Sequence, residues 1–230
     1  EAPITRAWIG SAGIDADESA RIATEALRCA MPHVHEWTVT NDAALLCASV
    51  PRNRPCVVCI AGTGSVVLAY DAQRTRTKRV GGLGWLLGDE GSAVGVGRAA
   101  LRHVLSEPSP LLDVILAATG AATADDLLSY VYTDDSRTRI AALAQVVTRA
   151  AHDGHAVAQH IVELEAQAMA ACIDRAAPPI PAACRLGGAL FGDAGYLARV
   201  LHHIQTPFID TQVVHDICGT AAQSKATRPW

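Results

Sequence analysis

The spacing of apolar and polar residues at the start of the chain predicts two strand-to-helix steps. Residues 7–9 are a short strand-like run before a Gly-Ser-Ala-Gly turn, and residues 17–30 then carry apolar side chains at helical spacing. Residues 35–40 alternate and are rich in β-branched and aromatic side chains, which predicts a second strand. This strand runs into Asn41 and Asp42, both good helix N-caps, so a second helix is expected directly afterwards.

A proline-containing segment at residues 51–55 separates this opening from the rest of the chain. Its two prolines and three polar residues cannot continue a helix or a strand, so we predict a domain boundary between residues 1–52 and 53–230. Beyond the boundary, residues 56–60 and 66–70 read as two strands joined by a tight glycine turn. Such an arrangement is a hairpin rather than a strand-to-helix loop.

The pattern of the second half is mainly helical. A glycine-rich segment at 81–97 leads into it, and a further strand is expected at 183–186, where Gly187 and Gly188 then open a helix. Residues 212–230 are poorly patterned. From the periodicity of apolar residues, we predict helices over 92–105, 123–131, 136–150, 153–175 and 193–203.

Composition and charge narrow the classes of function. The 230 residues are 50% hydrophobic with a mean hydropathy of +0.20, which suits a globular core. The net charge is −4 and no stripe of Lys and Arg residues is present, so the sequence indicates no basic surface for nucleic acid or anionic lipid. A small-molecule ligand is therefore expected. The longest apolar runs fall short of the ~20 residues of a membrane span, and no charged-then-apolar leader follows Glu1. We therefore expect a soluble protein.

Lysine and cysteine usage adds two expectations. The chain has two lysines, Lys78 and Lys225, and neither follows a glycine loop, which excludes a Walker-type phosphate site with its essential lysine. The seven cysteines are scattered through apolar segments, as is typical of reduced thiols in a cytoplasmic protein.

Two spacings suggest metal binding, but neither is completed. Cys56 and Cys59 lie three apart on a predicted strand, where such positions face opposite sides. Near His152, residues His155 and His160 are five apart, so on a helix they point away from each other, and no carboxylate completes a site. We therefore expect no protein-built metal site from these residues.

The first candidate site is the turn Ala61-Gly62-Thr63-Gly64-Ser65 between the two hairpin strands. Its glycines let the backbone approach an anion, and its hydroxyl and amide groups can donate to phosphate oxygens. An ordinary hairpin turn would account for the same residues.

The second candidate site is the segment 81–92, with five glycines around Asp89 and Glu90 just before a predicted helix. A loop with so few side chains to pack is expected to lay its backbone against a ligand, with Asp89 accepting hydrogen bonds from sugar hydroxyls. The alternative is a solvated acidic turn that favours the dipole of the following helix, which Ser92 would cap.

The third candidate is Asp42, at the carboxyl end of a predicted strand. Open α/β sheets bind their ligands at such ends, and a carboxylate there can take the proton from an attacking hydroxyl. Capping of the following helix is the alternative, and since Asn41 is an equally good cap, one residue could cap while the other acts.

In this order, the Asn41-Asp42 pair, the Gly-Thr-Gly-Ser turn and the long 81–92 run resemble the BadF/BadG/BcrA/BcrD ATPase family, and within it the N-acetylglucosamine kinases. The likeness extends from about Trp8 to Gly188 and includes the Ala-His-Asp-Gly-His-Ala segment at 151–156. It implies an α/β fold of the actin-like (ribonuclease H-like) type, with two domains hinged around a cleft. ATP with Mg²⁺ would bind on one side and a sugar between the domains.

Residue roles follow from the resemblance alone. It implies that Asp42 is the general base on the sugar hydroxyl, and it assigns no metal ligand. The implied nucleotide-binding residues are Gly62, Thr63, Gly64, Ala151, Gly187 and Gly188. The implied sugar-binding residues are Asn41, Ser65, Gly82, Leu83, Gly84 and Asp89.

The resemblance also implies a reaction and an assembly: phosphorylation of N-acetylglucosamine at its 6-hydroxyl, with glucosamine second, by a homodimer. Three features depart from the family's pattern. Leu83 stands where the sugar kinases usually have Trp, and His155 stands where Asp is common. The Asp-Gly-Gly-Gly-Thr hairpin with which the family begins is not among these residues, so the first domain is expected to be incomplete.

Two other functions stay open at this point. An ATPase activator of an acyl-CoA dehydratase or reductase shares the fold but carries cysteines for a bridging iron–sulfur cluster, whereas the cysteines here fall inside apolar helices and strands. A non-catalytic sugar- or nucleotide-binding remnant would suit the missing hairpin.

Overall fold

The computed structural model describes residues 4–14 and 16–223. The chain begins with strand β1 (Arg6–Gly10), helix α1 (Asp17–Ala30) and strand β2 (Glu36–Thr40). The two strands pair in parallel, from Arg6 opposite Glu36 to Gly10 opposite Thr40. This β–α–β unit is the first of the two predicted steps.

The predicted second helix is present as a 3₁₀ helix, Asp42–Ser49, with Asn41 as its N-cap. Residues 43–47 of this helix are all buried. A helix that is apolar all round has to be covered on every side, and this one packs between the strand ends of β1 and one face of the larger sheet.

The larger sheet has five strands: β3 (Cys56–Ala61), β4 (Ser65–Tyr70), β5 (Arg76–Gly81), β6 (Ala183–Gly187) and β7 (Asp210–Val213). Their order is β5-β4-β3-β6-β7. The pairs β3/β4 and β4/β5 are antiparallel, whereas β3/β6 and β6/β7 are parallel. The carboxyl ends of β3 and β6 therefore lie side by side at one edge of the sheet.

Helices cover both faces of this sheet. Alternate residues of β3 point to opposite sides: Cys56 and Val58 pack with the 3₁₀ helix, and Val57 and Cys59 pack with the helices of the second half. Those helices are α2 (Ala93–Ser106), α3 (Leu111–Thr119), α4 (Ala124–Val131), α5 (Ser136–His152), α6 (Ala156–Ala176) and α7 (Ala194–His203), whereas α8 (Ile217–Gln223) packs with the 3₁₀ helix on the other face. A second 3₁₀ helix, Ala189–Gly192, precedes α7.

Most of the predicted elements are confirmed, including the hairpin and the strand at 183–186. Helix α6 begins three residues later than predicted, with His155 as its N-cap. Sequence reasoning missed β5, β7, α3 and α8. Strand β5 was not predicted because it is an exposed edge strand rich in charged residues. These residues protect the edge from pairing, and they leave no alternation of apolar and polar positions to recognise.

The proline-containing segment at 51–55 is held in place by one buried side chain. Arg74, whose backbone is left-handed with φ 67, donates to the carbonyl oxygens of Val50 at 2.7 Å, Pro51 at 2.9 Å and Arg54 at 2.9 Å. These hydrogen bonds satisfy a run of carbonyls that no strand or helix pairs. The domain boundary near residue 52 stays a prediction.

None of the described helices combines the length and the apolar character that crossing a membrane requires.

The burial of the cysteines makes the fold testable by thiol labelling. Cys29 and Cys218 are exposed, whereas Cys47, Cys56, Cys59, Cys172 and Cys184 are buried, and burial raises the pKa of Cys184 to about 12. Because the thiolate is the reactive form, we expect a maleimide at neutral pH to modify two thiols rapidly, as read by intact mass. In denaturant all seven should react. Rapid native labelling of Cys59 or Cys184 would contradict this packing.

Candidate functional site

The carboxyl ends of β1 and β2 present Asn41 and Asp42. A Cβ on Gly10 would lie 2.9 Å from the Cα of Asp42, so the 3₁₀ helix sits directly on the end of β1. The side chains of Asn41 and Asp42 both accept from the amide of Ala43, each through Oδ1 at 3.0 Å. Asn41 is buried and Asp42 is half-buried, and within the described ranges no donor contacts Asp42 Oδ2. Both residues thus cap, and Asp42 keeps one oxygen for a ligand.

The turn at Gly62, Thr63 and Gly64 is fixed to the start of α2. The amide of Gly62 donates to the carbonyl of Gly64 at 2.9 Å. The carbonyls of Gly62 and Thr63 accept from the amides of Ala93 at 2.9 Å and Val94 at 3.1 Å. The turn is therefore tied to the helix through its carbonyls, while the Thr63 side chain faces solvent.

The carboxylate of Asp89 lies directly against this turn. Its Oδ1 accepts from the amide of Ser65 at 3.2 Å, and a Cβ on Gly64 would come within 2.6 Å of its Oδ2. Asp89 is only 3% exposed, and its Oδ2 is buried without a hydrogen-bond partner. An unpaired buried carboxylate oxygen is costly, so this position favours a hydrogen-bond donor.

The loop that carries Asp89 has a constrained backbone. Asp89 itself has a left-handed φ of 63. Its carbonyl accepts from Ser92 Oγ at 2.6 Å, and the hydroxyl of Ser65 donates to the carbonyl of Glu90 at 2.7 Å. Ser92 also caps α2 by accepting from the amide of Gly95, as the sequence suggested. The acidic pair is thus split, with Asp89 buried and Glu90 exposed.

Two residues that the sequence reasoning missed hold the next peptide. The amide of Gly91 donates to Glu165 Oε2 of α6 at 2.7 Å, and the hydroxyl of Tyr196 of α7 donates to the carbonyl of Gly91 at 2.5 Å. Burial raises the pKa of Glu165 and raises that of Tyr196 well above its usual range. The Gly91 peptide is therefore clamped from both sides inside the protein.

Arg98 of α2 fixes the beginning of the same loop. Its guanidinium donates to the carbonyl of Trp85 at 2.7 Å and to the carbonyl of Gly88 at 3.1 Å. No motif in the sequence singled out Arg98, Glu165 or Tyr196, because their partners are backbone groups. The one sequence feature that could have identified these three residues is an ionisable or hydroxyl side chain on an otherwise apolar helix face.

The earlier part of the loop is more exposed. Gly82 and Gly84 have positive φ values of 68 and 80, which suits glycine, and Leu83 is 64% exposed. Leu86 and Leu87 are exposed as well. The structure thus places the predicted residues Gly82, Leu83 and Gly84 on the surface of the loop rather than beneath it.

Gly187 and Gly188 stand at the end of β6, beside the turn. A Cβ on Gly188 would lie 2.5 Å from the carbonyl oxygen of Ala61, and its φ is 107, so only glycine fits here. A Cβ on Gly187 would lie 3.0 Å from Leu46 of the first 3₁₀ helix. Gly187 and Gly188 therefore touch both the Asp42 helix and the strand that leads into the Thr63 turn.

Ala151 is buried near the end of α5, next to a residue that contacts the start of α7. His152 Nε2 lies 3.0 Å from Asp193 Oδ2, and Asp193 caps α7 by accepting from the amide of Tyr196 at 2.8 Å. Burial opposes ionisation of Asp193, but the hydrogen bonds from Tyr196 and His152 outweigh it and lower its pKa. A cavity of about 640 Å³ between α3 and α5 is lined by Ala150 and His155 rather than by Ala151 itself.

Within residues 4–14 and 16–223, no group of three or more His, Cys, Asp or Glu side chains is arranged to hold a metal ion. His155 has both ring nitrogens buried without hydrogen-bond partners. His160 lies exposed on α6.

The fold is shared with two solved structures. One, described as a candidate N-acetylglucosamine kinase from Porphyromonas gingivalis, superposes with a TM-score of 0.77 at 21% identity and covers 95% of this chain and 76% of its own. The other carries the same description in Chromobacterium violaceum, with a TM-score of 0.71, 21% identity, and coverage of 96% and 76%. The predicted α/β, actin-like fold is confirmed.

Two curated relatives match part of the chain. The N-acetylmuramic acid/N-acetylglucosamine kinase of Clostridium acetobutylicum is 30% identical over 162 residues, which is 67% of this chain and 52% of the relative. The N-acetyl-D-glucosamine kinase of Dictyostelium discoideum is 28% identical over 131 residues, 54% of this chain and 41% of the relative. The chain spans about half the length of the curated relatives it matches.

The model of the BadF/BadG/BcrA/BcrD ATPase family matches residues 2–220. The chain belongs to this family, as the three motifs of the sequence indicated.

Glu165 is expected to make stability fall as the pH rises. Because burial raises its pKa, the folded protein binds this proton more tightly than the unfolded chain does. The stabilisation is fully present below the ordinary glutamate pKa and is lost as the pH rises through the folded pKa. In Glu165→Gln the amide oxygen still accepts from Gly91, so thermal unfolding between acidic and neutral pH should lose this dependence.

Glu163, on the same helix, is the matched control. Its pKa is lowered, chiefly by the hydrogen bond with His203, so Glu163→Gln should lose stability at neutral pH instead. Glu165→Ala leaves the Gly91 amide unpaired and should cost about 1–3 kcal/mol of unfolding free energy. A Glu165→Gln variant with the pH dependence of the wild type would show that Glu165 is not the source of this dependence.

Proposed function

We propose that the protein is a sugar kinase that transfers the γ-phosphoryl group of ATP to the 6-hydroxyl of an amino sugar, with N-acetylglucosamine as first choice and glucosamine as second. The observation that carries the proposal is the buried Asp89 carboxylate, which lacks a donor at Oδ2 and lies against Gly64 of a glycine turn. The curated relatives are named as kinases of N-acetylmuramic acid and N-acetylglucosamine, which agrees with an amino sugar.

On the sugar side, Asp89 has the role of hydroxyl acceptor. A sugar hydroxyl that donates to Oδ2 supplies the hydrogen bond that the apo site lacks. Asn41 and Ser65, together with the loop residues Gly82, Leu83 and Gly84, form the remainder of the proposed sugar site. Because Leu83 is exposed, we place it at the rim of this site rather than at its base.

On the nucleotide side, Gly62, Thr63 and Gly64 receive the phosphates. The carbonyls of Gly62 and Thr63 accept hydrogen bonds from α2. The groups of the turn that remain to contact phosphate oxygens are therefore the Thr63 hydroxyl and the surface of the turn that faces away from α2. Gly187, Gly188 and Ala151 are the proposed contacts of the adenosine. The close approach of Gly188 to Ala61 brings the two parts of the nucleotide site together.

Asp42 is the proposed general base. The 6-hydroxyl oxygen attacks the γ-phosphorus, its proton passes to Asp42 Oδ2, and the bond from phosphorus to the bridging oxygen breaks to release ADP. Oδ1 stays hydrogen-bonded to the amide of Ala43, which orients the carboxylate.

ATP is used by kinases as its Mg²⁺ complex, and the metal neutralises phosphate charge. Mg²⁺ at such sites is held largely by the phosphates with one or two carboxylates, and the described residues hold no group of three potential ligands, so we assign no protein ligand to Mg²⁺. No step of the proposed reaction depends on such a ligand.

The activity is tested by sugar-dependent ADP release from the protein with N-acetylglucosamine, glucosamine and N-acetylmuramic acid, in a coupled assay. Release with an amino sugar and none without it supports the kinase. Sugar binding without ADP release would support a non-catalytic sugar-binding protein instead. The homodimer that the family resemblance implies and the cytoplasmic location that the cysteine usage suggests are part of the proposal, and analytical ultracentrifugation tests the first.

Asp42→Asn is expected to lower turnover by about 10²- to 10⁴-fold, the usual contribution of a general base. Asn still accepts from the amide of Ala43, so folding and the affinity for the sugar should be unchanged. Steady-state kinetics and calorimetric sugar titration measure the two effects. Asp113→Asn, an exposed carboxylate on α3, is the control and should leave turnover intact. Normal turnover in Asp42→Asn would exclude the base assignment.

A further inference from the structure

Arg137 lies at the same point of the site as Asp89. A Cβ on Gly64 would be 3.1 Å from Arg137 Nη2 and 2.6 Å from Asp89 Oδ2. The guanidinium therefore reaches the turn that the proposed function gives to the phosphates, although it comes from the first turn of α5, more than 70 residues along the chain. The Arg137 side chain is otherwise exposed.

The position of Arg137 goes against helix electrostatics. A cation near a helix N-terminus opposes the positive end of the helix dipole, and first turns favour Asp and Glu. Arg139, in the same turn of α5, has a partner in Tyr130. It donates to the Tyr130 carbonyl at 3.2 Å, and its guanidinium carbon lies 5.2 Å from the centre of the Tyr130 ring. For Arg137, no hydrogen bond or salt bridge is found within residues 4–14 and 16–223. Such local conflicts concentrate at functional positions.

A phosphate at the turn needs a positive charge that α2 does not provide. The first amides of α2 are already used: Ala93 and Val94 donate to the turn carbonyls, and Gly95 donates to Ser92 Oγ. Lys78 lies exposed on the edge strand β5. Arg137 is the cation that the structure places against Gly64, and a guanidinium matches the geometry of phosphate oxygens.

We propose that Arg137 binds the terminal phosphates of a nucleoside triphosphate held at the Gly62–Gly64 turn. The assignment rests on the proposed function. It makes Arg137 a substrate-binding residue of the transfer step, where it stabilises the charge that gathers on the phosphoryl oxygens. Asp89 Oδ2 lies 2.6 Å from the same Cβ position on Gly64, so the group that binds phosphate and the group that binds the sugar hydroxyl approach the turn from the same face.

The competing role for Arg137 is structural neutralisation of the buried Asp89 carboxylate. The two roles differ in which ligand binds more weakly when the guanidinium is removed. A phosphate-binding Arg137 affects ligands in proportion to their phosphates and leaves adenosine and sugar binding alone. A partner of Asp89 affects sugar binding and thermal stability instead.

The experiment is isothermal titration calorimetry of the wild type, Arg137→Ala, Arg137→Lys and the control Arg102→Ala, an exposed arginine on α2. The probes are β,γ-imido-ATP, ADP, adenosine and N-acetylglucosamine. We expect Arg137→Ala to weaken β,γ-imido-ATP binding by about 10- to 100-fold, as for a charge-assisted hydrogen bond. ADP should lose less, and adenosine and sugar should be unchanged. Arg137→Lys should recover part of the loss, and Arg102→Ala should match the wild type.

Three other results of this titration would each overturn either the Arg137 assignment or the proposed function. If the wild type binds β,γ-imido-ATP and Arg137→Ala binds it equally well, the Arg137 assignment is wrong while the kinase proposal stands. Equal losses for adenosine or for N-acetylglucosamine would show that Arg137 acts through Asp89 or through folding. If the wild type binds none of the nucleotides, the proposed function fails and the assignment fails with it.

Discussion

The candidate site depends on the placement of one carboxylate. Asp89 adopts a left-handed backbone conformation and buries an oxygen that no donor of residues 4–14 and 16–223 reaches. Both features cost free energy, on the order of 1–3 kcal/mol each, and they persist only where the surrounding structure holds them. Here the amide of Ser65, the hydroxyl of Ser92 and the clamped Gly91 peptide supply that support. A ligand that donates to Asp89 would recover part of this cost on binding.

The five-stranded sheet explains why the supporting groups meet at this place. Because β3 and β6 are parallel, Gly188 lies beside the strand end that enters the Thr63 turn. Helices α2–α7 cover one face of the sheet, and the Asp42 helix with α8 covers the other, so both sides of the proposed site are anchored to the same strands. The close approaches at Gly10, Gly64 and Gly188 have no room for a side chain. Rigid packing thus sets the distances between the proposed base, the turn and the acidic loop.

Local patterns predicted much of this arrangement. Alternation identified β2, and two apolar runs joined by a glycine turn identified the hairpin strands. The capping residues Asn41 and Ser92 marked the starts of the first 3₁₀ helix and α2. The choice of a 3₁₀ helix over an α-helix could not be read locally, because it depends on the buried packing of five consecutive residues. The charged edge strand β5 lacks the alternation that identifies a half-buried strand.

The groups that support the site lay beyond sequence reasoning for a different reason. Glu165 and Tyr196 reach Gly91 from 74 and 105 residues away, and their partners are backbone atoms that carry no sequence signal. Arg137 likewise meets Gly64 only in three dimensions. Motifs can identify a loop that approaches a ligand, but only the tertiary structure identifies the side chains that fix it.

The most direct test is a crystal structure of the protein with N-acetylglucosamine and β,γ-imido-ATP bound together. The account predicts a sugar hydroxyl within hydrogen-bond distance of Asp89 Oδ2, and the terminal phosphate between the Thr63 turn and Arg137. A complex in which both ligands are bound and Asp89 Oδ2 still has no partner would contradict it.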